Sequence, residues 1–261
     1  MLHVSQKIGE GRNSIVYLLD GIAIKRMKKS LFRRDERDIL KELDHKCIIK
    51  LLSSYEDDFY VYIKLEYFQG KNLYEWRTCM KEDIEIFDKV IFQLLDVIKY
   101  LHDKDIIHGD LSVRNILVND SNEIKLIDFG NCRKTDSKNE KGQNEKGQNE
   151  KGQNEKGQNE KGQNEQEEKV SFGTFAFLSP ELLSGEIKVS NKAAELWALG
   201  ILIFVVITGN IPFLGHNENT VYFRIMNSKI NYKKKNIPKK YKKVLKSLLR
   251  KKYNKRKIIN L

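Results

Sequence analysis

His108-Gly109-Asp110-Leu111-Ser112-Val113-Arg114-Asn115 and, thirteen residues past Asn115, Asp128-Phe129-Gly130 decide the reading of this chain. The first stretch follows a long amphipathic helical pattern, Ile84 to His102, and the second follows an apolar strand pattern at Ile124–Ile127. Asp110 supplies one carboxylate able to orient a hydroxyl. Asn115 and Asp128 add an amide oxygen and a second carboxylate, donors suited to a hard divalent cation. Magnesium takes few protein oxygens and completes its shell with water and phosphate. Phosphoryl transfer depends on this kind of positioning and charge neutralisation rather than on a covalent step.

Upstream, Gly9-Glu10-Gly11-Arg12-Asn13-Ser14-Ile15-Val16 lies between two strand patterns, where small residues let backbone amides approach phosphate oxygens. Such glycines also make ordinary hairpin turns, and Ser14 stands where a third glycine would complete the pattern. Ile22-Ala23-Ile24-Lys25 reads as a strand presenting one lysine, and Glu36, eleven residues on, can hold that ammonium in place.

The rest of the chain organises around these motifs. Strands are expected at Val4–Ile8, Ile15–Leu19, Ile22–Lys25, Ile48–Ser54, Phe59–Glu66, Ile116–Val118 and Ile124–Ile127. Helices are expected at Leu31–Leu43, Ile84–His102, Lys192–Thr208 and Pro238–Lys251. Strands first and helices later indicate an α+β fold of two lobes, a small β-rich one and a larger helical one. Residues 141–165 are five perfect copies of Lys-Gly-Gln-Asn-Glu, without an apolar residue. Such units cannot offset their ordering entropy, so 136–168 reads as a disordered insert.

Composition removes other classes. With 261 residues, 40% hydrophobic and 32% charged, the chain is globular. Three cysteines without a Cys-x-x-Cys pair exclude a four-cysteine zinc site and suit a reducing compartment. The start lacks a signal-peptide core, and the longest apolar run, Ala198–Ile207, is half the ~20 residues of a membrane span. The expectation is an intracellular protein of cytoplasm or nucleus, without a transmembrane segment. Net charge is +12, and residues 228–261 hold fifteen Lys/Arg and no acid. Without interleaved aromatics or a base-reading motif, that tail reads as the solvated face of a helix, not as sequence-specific nucleic-acid binding.

These motifs resemble the eukaryotic protein kinase family over the whole chain apart from the insert. The resemblance implies a kinase domain over 1–261, with N-lobe and hinge at 1–68, C-lobe at 69–261, and the insert in the activation loop. It implies ATP and Mg2+ as cofactors, protein substrates and a monomer. Asp110 would be the catalytic base, Lys25 the phosphate-holding lysine with Glu36 as its helix partner, and Asn115 and Asp128 the magnesium ligands. Ile8, Gly9, Glu10, Gly11, Val16 and Ala23 would surround the nucleotide, with Glu66 and Phe68 at the adenine-gripping hinge. Ser179-Pro180-Glu181 and Gly173-Thr174 are similar to the end of an activation segment, Trp197-Ala198-Leu199-Gly200 to the central helix, and Arg256 to the partner of Glu181. Residues Ser171 to Ile225 look like the phosphoinositide-dependent protein kinases.

Four positions depart from the family pattern. Ser14 replaces the third glycine, Gly109 the arginine before the base, Ser112 a γ-phosphate lysine, and Glu195 an aspartate. Arg114 can take over the charge lost at Ser112, as in many tyrosine kinases, whereas Gly173-Thr174 points to serine/threonine acceptors. Three readings stand: a serine/threonine protein kinase, a catalytically weak pseudokinase scaffold, and a small-molecule kinase. Ser179-Pro180-Glu181 and Arg256 count against the last.

Overall fold

The computed structural model describes residues 6–11, 13–32, 34–135, 175–232 and 237–259. The apolar alternation of the first part pairs into an antiparallel sheet of β1 (Gln6–Glu10), β2 (Ser14–Leu19), β3 (Ile22–Lys28), β4 (Leu51–Glu56) and β5 (Tyr60–Glu66). Their order is β1-β2-β3-β5-β4. Asp20-Gly21 joins β2 to β3 with φ of 50° and 74°. A two-residue hairpin turn matches strand twist when both central residues have positive φ, which an Asp-Gly pair accepts. Register then sets the faces. Lys25 pairs with Val16 on one side and Ile63 on the other, and Ala23 pairs with Leu65. Side chains alternate along a strand, so Val16, Ala23, Lys25 and Ile63 share one face. Met27, Val61 and Ile63 form a small core on it.

Most of the remaining elements form the larger, helix-rich part. Helix α1 (Arg34–Glu42) precedes β4, and β6 (Lys71–Asn72), α2 (Leu73–Cys79) and α3 (Ile84–Asp103) follow β5. Then come β7 (Ile106–Ile107), β8 (Ile116–Val118), β9 (Ile124–Leu126) and β10 (Arg133–Lys134), followed by α4 (Pro180–Leu183), α5 (Lys192–Thr208), α6 (Glu218–Asn227) and α7 (Lys239–Leu248). Strands β6, β8 and β9 make one small sheet and β7 and β10 another. Asp83 caps α3 by accepting from the Glu85 and Ile86 amides, and the helix buries a stripe from Phe87 through Val90, Ile91, Leu94 and Ile98 to Leu101. Helix α5 is buried on every side from Ala194 to Ile207 and packs against α3 and α7. Its apolar run is therefore the centre of the core. No helix among the described residues is long and apolar enough to cross a membrane.

The α+β architecture agrees with the sequence expectation, while several boundaries move for identifiable reasons. Strand β4 begins at Leu51 instead of Ile48, because Ile48 bridges to Leu126 and the Ile49 amide donates to Leu126 O at 3.0 Å. Helix α1 begins at Arg34, since Lys29–Leu31 forms a separate 3-10 turn. Helix α7 stops at Leu248 rather than Lys251, and the chain turns back through Tyr253–Lys255, bringing Arg256 to Glu181. Helices α2 and α6 lie outside the expected set. Each has a visible cap signal: Asn72 and Glu75 form a capping box, and Asn217 accepts from the Thr220 amide. The repeats at 141–165, and with them Ser171 and Gly173-Thr174, lie outside the described residues.

Candidate active site

Lys25 sits mid-strand in β3, with partners on both sides, and its side chain is 8% exposed. Its ammonium donates to Glu36 Oε1 on α1 at 2.6 Å and to Asp128 Oδ1 at 2.7 Å. A buried ammonium is costly unless paired. Here the partners arrive from 11 and 103 residues away. Burial works to lower the Lys25 pKa, but the two carboxylates outweigh it and hold it above the ordinary lysine value. At Glu36 burial wins and pushes the carboxyl up against the pull of Lys25. At Asp128 burial again opposes ionisation, yet the adjacent ammonium prevails and holds the carboxyl below the usual range. The Asp128 side chain is 49% exposed.

The His108–Asn115 and Asp128–Gly130 motifs are stitched to each other through Ile127. Its amide donates to Asn115 O at 2.9 Å, and its carbonyl accepts from His108 Nε2 at 3.0 Å. His108 Nδ1 accepts the Asp110 amide at 3.3 Å, which leaves Nε2 to donate to the Ile127 carbonyl. Fully buried, that ring meets the equally buried Phe129 edge-on at 4.8 Å. Asn115 Nδ2 donates to Asp110 O at 2.7 Å and to Asp110 Oδ2 at 3.2 Å. Asp110 and Asn115 therefore touch directly, and Asn115 is one hydrogen bond from the residue preceding Asp128. Asp128 holds a left-handed backbone, φ 63°, that aspartate tolerates better than most residues. Arg114 is exposed on the single turn Val113–Asn115.

With its amide nitrogen committed to Asp110, Asn115 keeps an oxygen of the type a hard cation takes. Among the described residues no group of three or more His, Cys, Asp or Glu could hold a metal. Asn115 and Asp128 are instead a sparse oxygen pair, which fits magnesium carrying water and phosphate and does not fit zinc.

The residues expected around the nucleotide occupy the same sheet. Val16 and Ala23 share the face of Lys25. The Gly11 amide closes the β1–β2 turn on Ser14 O at 2.8 Å, and Gly9 pairs with Val16. The register slips between Lys7 and Gly9, a bulge that re-aims Ile8, 40% exposed. Glu10 pairs with Lys7 at the surface. Glu66 ends β5 with its side chain turned to the Lys125 ammonium at 2.5 Å and the Lys50 amide at 2.8 Å. Phe68 follows, half-buried. Lys125 thereby anchors the end of β5 to β9, a role that no motif in the sequence marks.

Two departures from the family pattern fit each other. Gly109 has φ 82°, and a Cβ there would meet Asn131 O at 2.4 Å. Its amide donates to Glu195 Oε1 at 2.8 Å, while Glu195 Oε2 pairs with His102 Nε2 at 2.9 Å. The buried glutamate thus carries the loop backbone from α5. Arg133 lies beside it, its pKa lowered by burial with Glu195 opposing. Gly109→Arg is expected to cost about 1–3 kcal/mol of stability through backbone strain and the Asn131 clash. Urea denaturation of variant and parent checks this, and equal midpoints would refute it. Farther off, Arg256 grips Glu181 with two bonds, 2.5 and 2.8 Å, at side-chain exposures of 0% and 1%.

Comparison with known proteins agrees with this geometry. A family model described as a protein kinase domain matches residues 2–260. The chain is 27% identical over 239 residues to rat 3-phosphoinositide-dependent protein kinase 1, covering 90% of this chain and 38% of that protein. It is 30% identical over 220 residues to the serine/threonine-protein kinase PKH2 of Candida albicans, covering 82% and 21%. Against the human cAMP-dependent protein kinase catalytic subunit PRKX it is 28% identical over 210 residues, covering 79% and 49%. The chain thus spans less than half the length of these three relatives.

Proposed function

The chain belongs to the protein kinase family, and we propose that it transfers the γ-phosphate of ATP, with Mg2+, to serine and threonine hydroxyls of protein substrates. The observation that carries this reading is the Lys25 ammonium held between Glu36 and Asp128 at 2.6 and 2.7 Å. In this reading 1–68 form the N-lobe and hinge, 69–261 the C-lobe, and 136–168 an insert in the activation loop.

Each residue then has a defined task. Lys25, kept charged by its two carboxylates, neutralises phosphate oxygens. Gly9 and Gly11 bring backbone close to the phosphates, Val16 and Ala23 bound the base, and the 66–68 segment grips its edge. Asp110 accepts a hydrogen bond from the substrate hydroxyl and aligns it. Asn115 and Asp128 would hold the magnesium, which supplies charge neutralisation at the phosphates. Arg114, on the exposed turn beside Asp110, adds positive charge where Ser112 has none to offer. Serine/threonine preference is supported by the likeness to the Candida albicans serine/threonine-protein kinase PKH2.

A peptide-array assay with ATP and magnesium tests the proposal. Labelling of serine- or threonine-containing peptides is expected. No labelling, or labelling confined to tyrosine peptides, would overturn it.

A further inference from the structure

The strongest unassigned feature is a basic groove on the helical part. Two adjoining cavities flank the segment after α6. One, about 530 Å³, lies between Lys229–Tyr232 and α7, where Lys242 and Lys246 line it. The other, about 260 Å³, lies on the far side of the same segment, with Phe204, Pro212, Phe213 and Arg224 in its wall. Both share Lys229, Ile230 and Asn231, and among the described residues neither is lined by an acid.

Apart from the Lys246 ammonium over the Tyr232 ring, the charge here is not used by the fold. Helix α7 buries Tyr241, Val244, Leu245 and Leu248, so its packing is apolar and needs no lysine at 242 or 246. Nearby, Lys240 pairs with Asp88 and Arg256 with Glu181, while Lys239 and Lys243 of the same helix, like the groove lysines, enter no ion pair among the described residues. Among the described residues no ion pair involves Lys229, Lys242 or Lys246. Like charges one helical turn apart repel and slightly destabilise their helix. A concave surface walled by one sign of charge also concentrates oppositely charged ligands.

We propose that this groove binds an acidic segment of a partner protein, its carboxylates set against Lys229, Lys242 and Lys246. An apolar side chain of that segment enters the smaller cavity against Phe204 and Phe213. The mixed lining selects a peptide. Single-stranded nucleic acid needs open aromatic faces for stacking, and the Tyr232 ring is already covered by the Lys246 ammonium at 5.8 Å. A membrane needs protruding apolar groups, whereas Phe204 and Phe213 are 1% and 3% exposed and recessed. Binding at this groove does not depend on the phosphoryl-transfer chemistry, so the two proposals fail separately.

The test is a fluorescence-anisotropy titration of the full chain with a short labelled polyglutamate peptide carrying one central phenylalanine. Saturable binding is expected, weakening as salt rises and falling at least about tenfold in Lys242→Glu/Lys246→Glu. Lys229→Glu, on the opposite wall, gives a second reading should the α7 variant unfold in a thermal melt. Replacing the phenylalanine of the peptide by glycine is expected to weaken binding as well. No saturable binding, or equal binding by both variants, would overturn the proposal. Tighter binding of oligothymidylate or of phosphatidylserine vesicles in parallel titrations would overturn it in favour of those ligands.

Discussion

Asp128→Asn is expected to lower magnesium-dependent phosphoryl transfer by at least about 10³-fold, roughly 4 kcal/mol of transition-state stabilisation, while the protein stays folded. Asparagine keeps the size of the side chain and tolerates the left-handed backbone at φ 63°. What disappears is the carboxylate charge, 2.7 Å from Lys25 and half exposed. Lys25 keeps Glu36 at 2.6 Å, so the buried ammonium does not become unpaired. The loss therefore falls on the charge that would hold the metal. Single-turnover rates at saturating ATP and magnesium provide the check, and full activity in the purified variant would remove Asp128 from the mechanism. The same experiment with Asp110→Asn probes the hydroxyl-orienting role.

Arg256→Met is expected to destabilise the protein by about 3–5 kcal/mol, a large share of a domain's net stability. Glu181, 2% exposed, would lose both hydrogen bonds that compensate its burial. Arg256 also donates to Ala193 O at 2.9 Å and Arg250 O at 2.7 Å, and its guanidinium stacks 5.0 Å from the Trp197 ring. Its removal thus frees α4, α5 and the final turn at once. Removing both charges in Glu181→Leu/Arg256→Met is expected to recover part of the loss, because no buried charge is then orphaned. Denaturant titration measures both variants. A double variant no more stable than the single one would show that packing, not the uncompensated carboxylate, sets the cost.

The candidate site was largely legible because its chemistry is written in residue types at short spacing. Asp110 and Asn115 are five residues apart and touch. The Lys25–Glu36 pair spans one strand-to-helix step of eleven residues. The expected Arg256–Glu181 pair, which is present, and the choice of Asp128 both rested on the family resemblance, since partners 75 and 103 residues away leave no local periodicity. The same long range hid Lys125, whose strand pattern says nothing of Glu66 fifty-nine residues earlier. Gly109 and Glu195 read separately as two losses from the family pattern. In three dimensions they form one contact, a glycine backbone in the left-handed region meeting a longer carboxylate.

The amino-acid sequence by itself determined the strands of the first sheet, the long helix α3 and the apolar centre at α5. All of these follow from local composition and periodicity. The tertiary structure alone decided where strand β4 begins, which of the two carboxylates beside Lys25 is held below its usual range, and that Lys229, Lys242 and Lys246 gather around a groove. Those properties depend on burial and on distances between segments far apart in the chain, and neither quantity is a function of neighbouring residues.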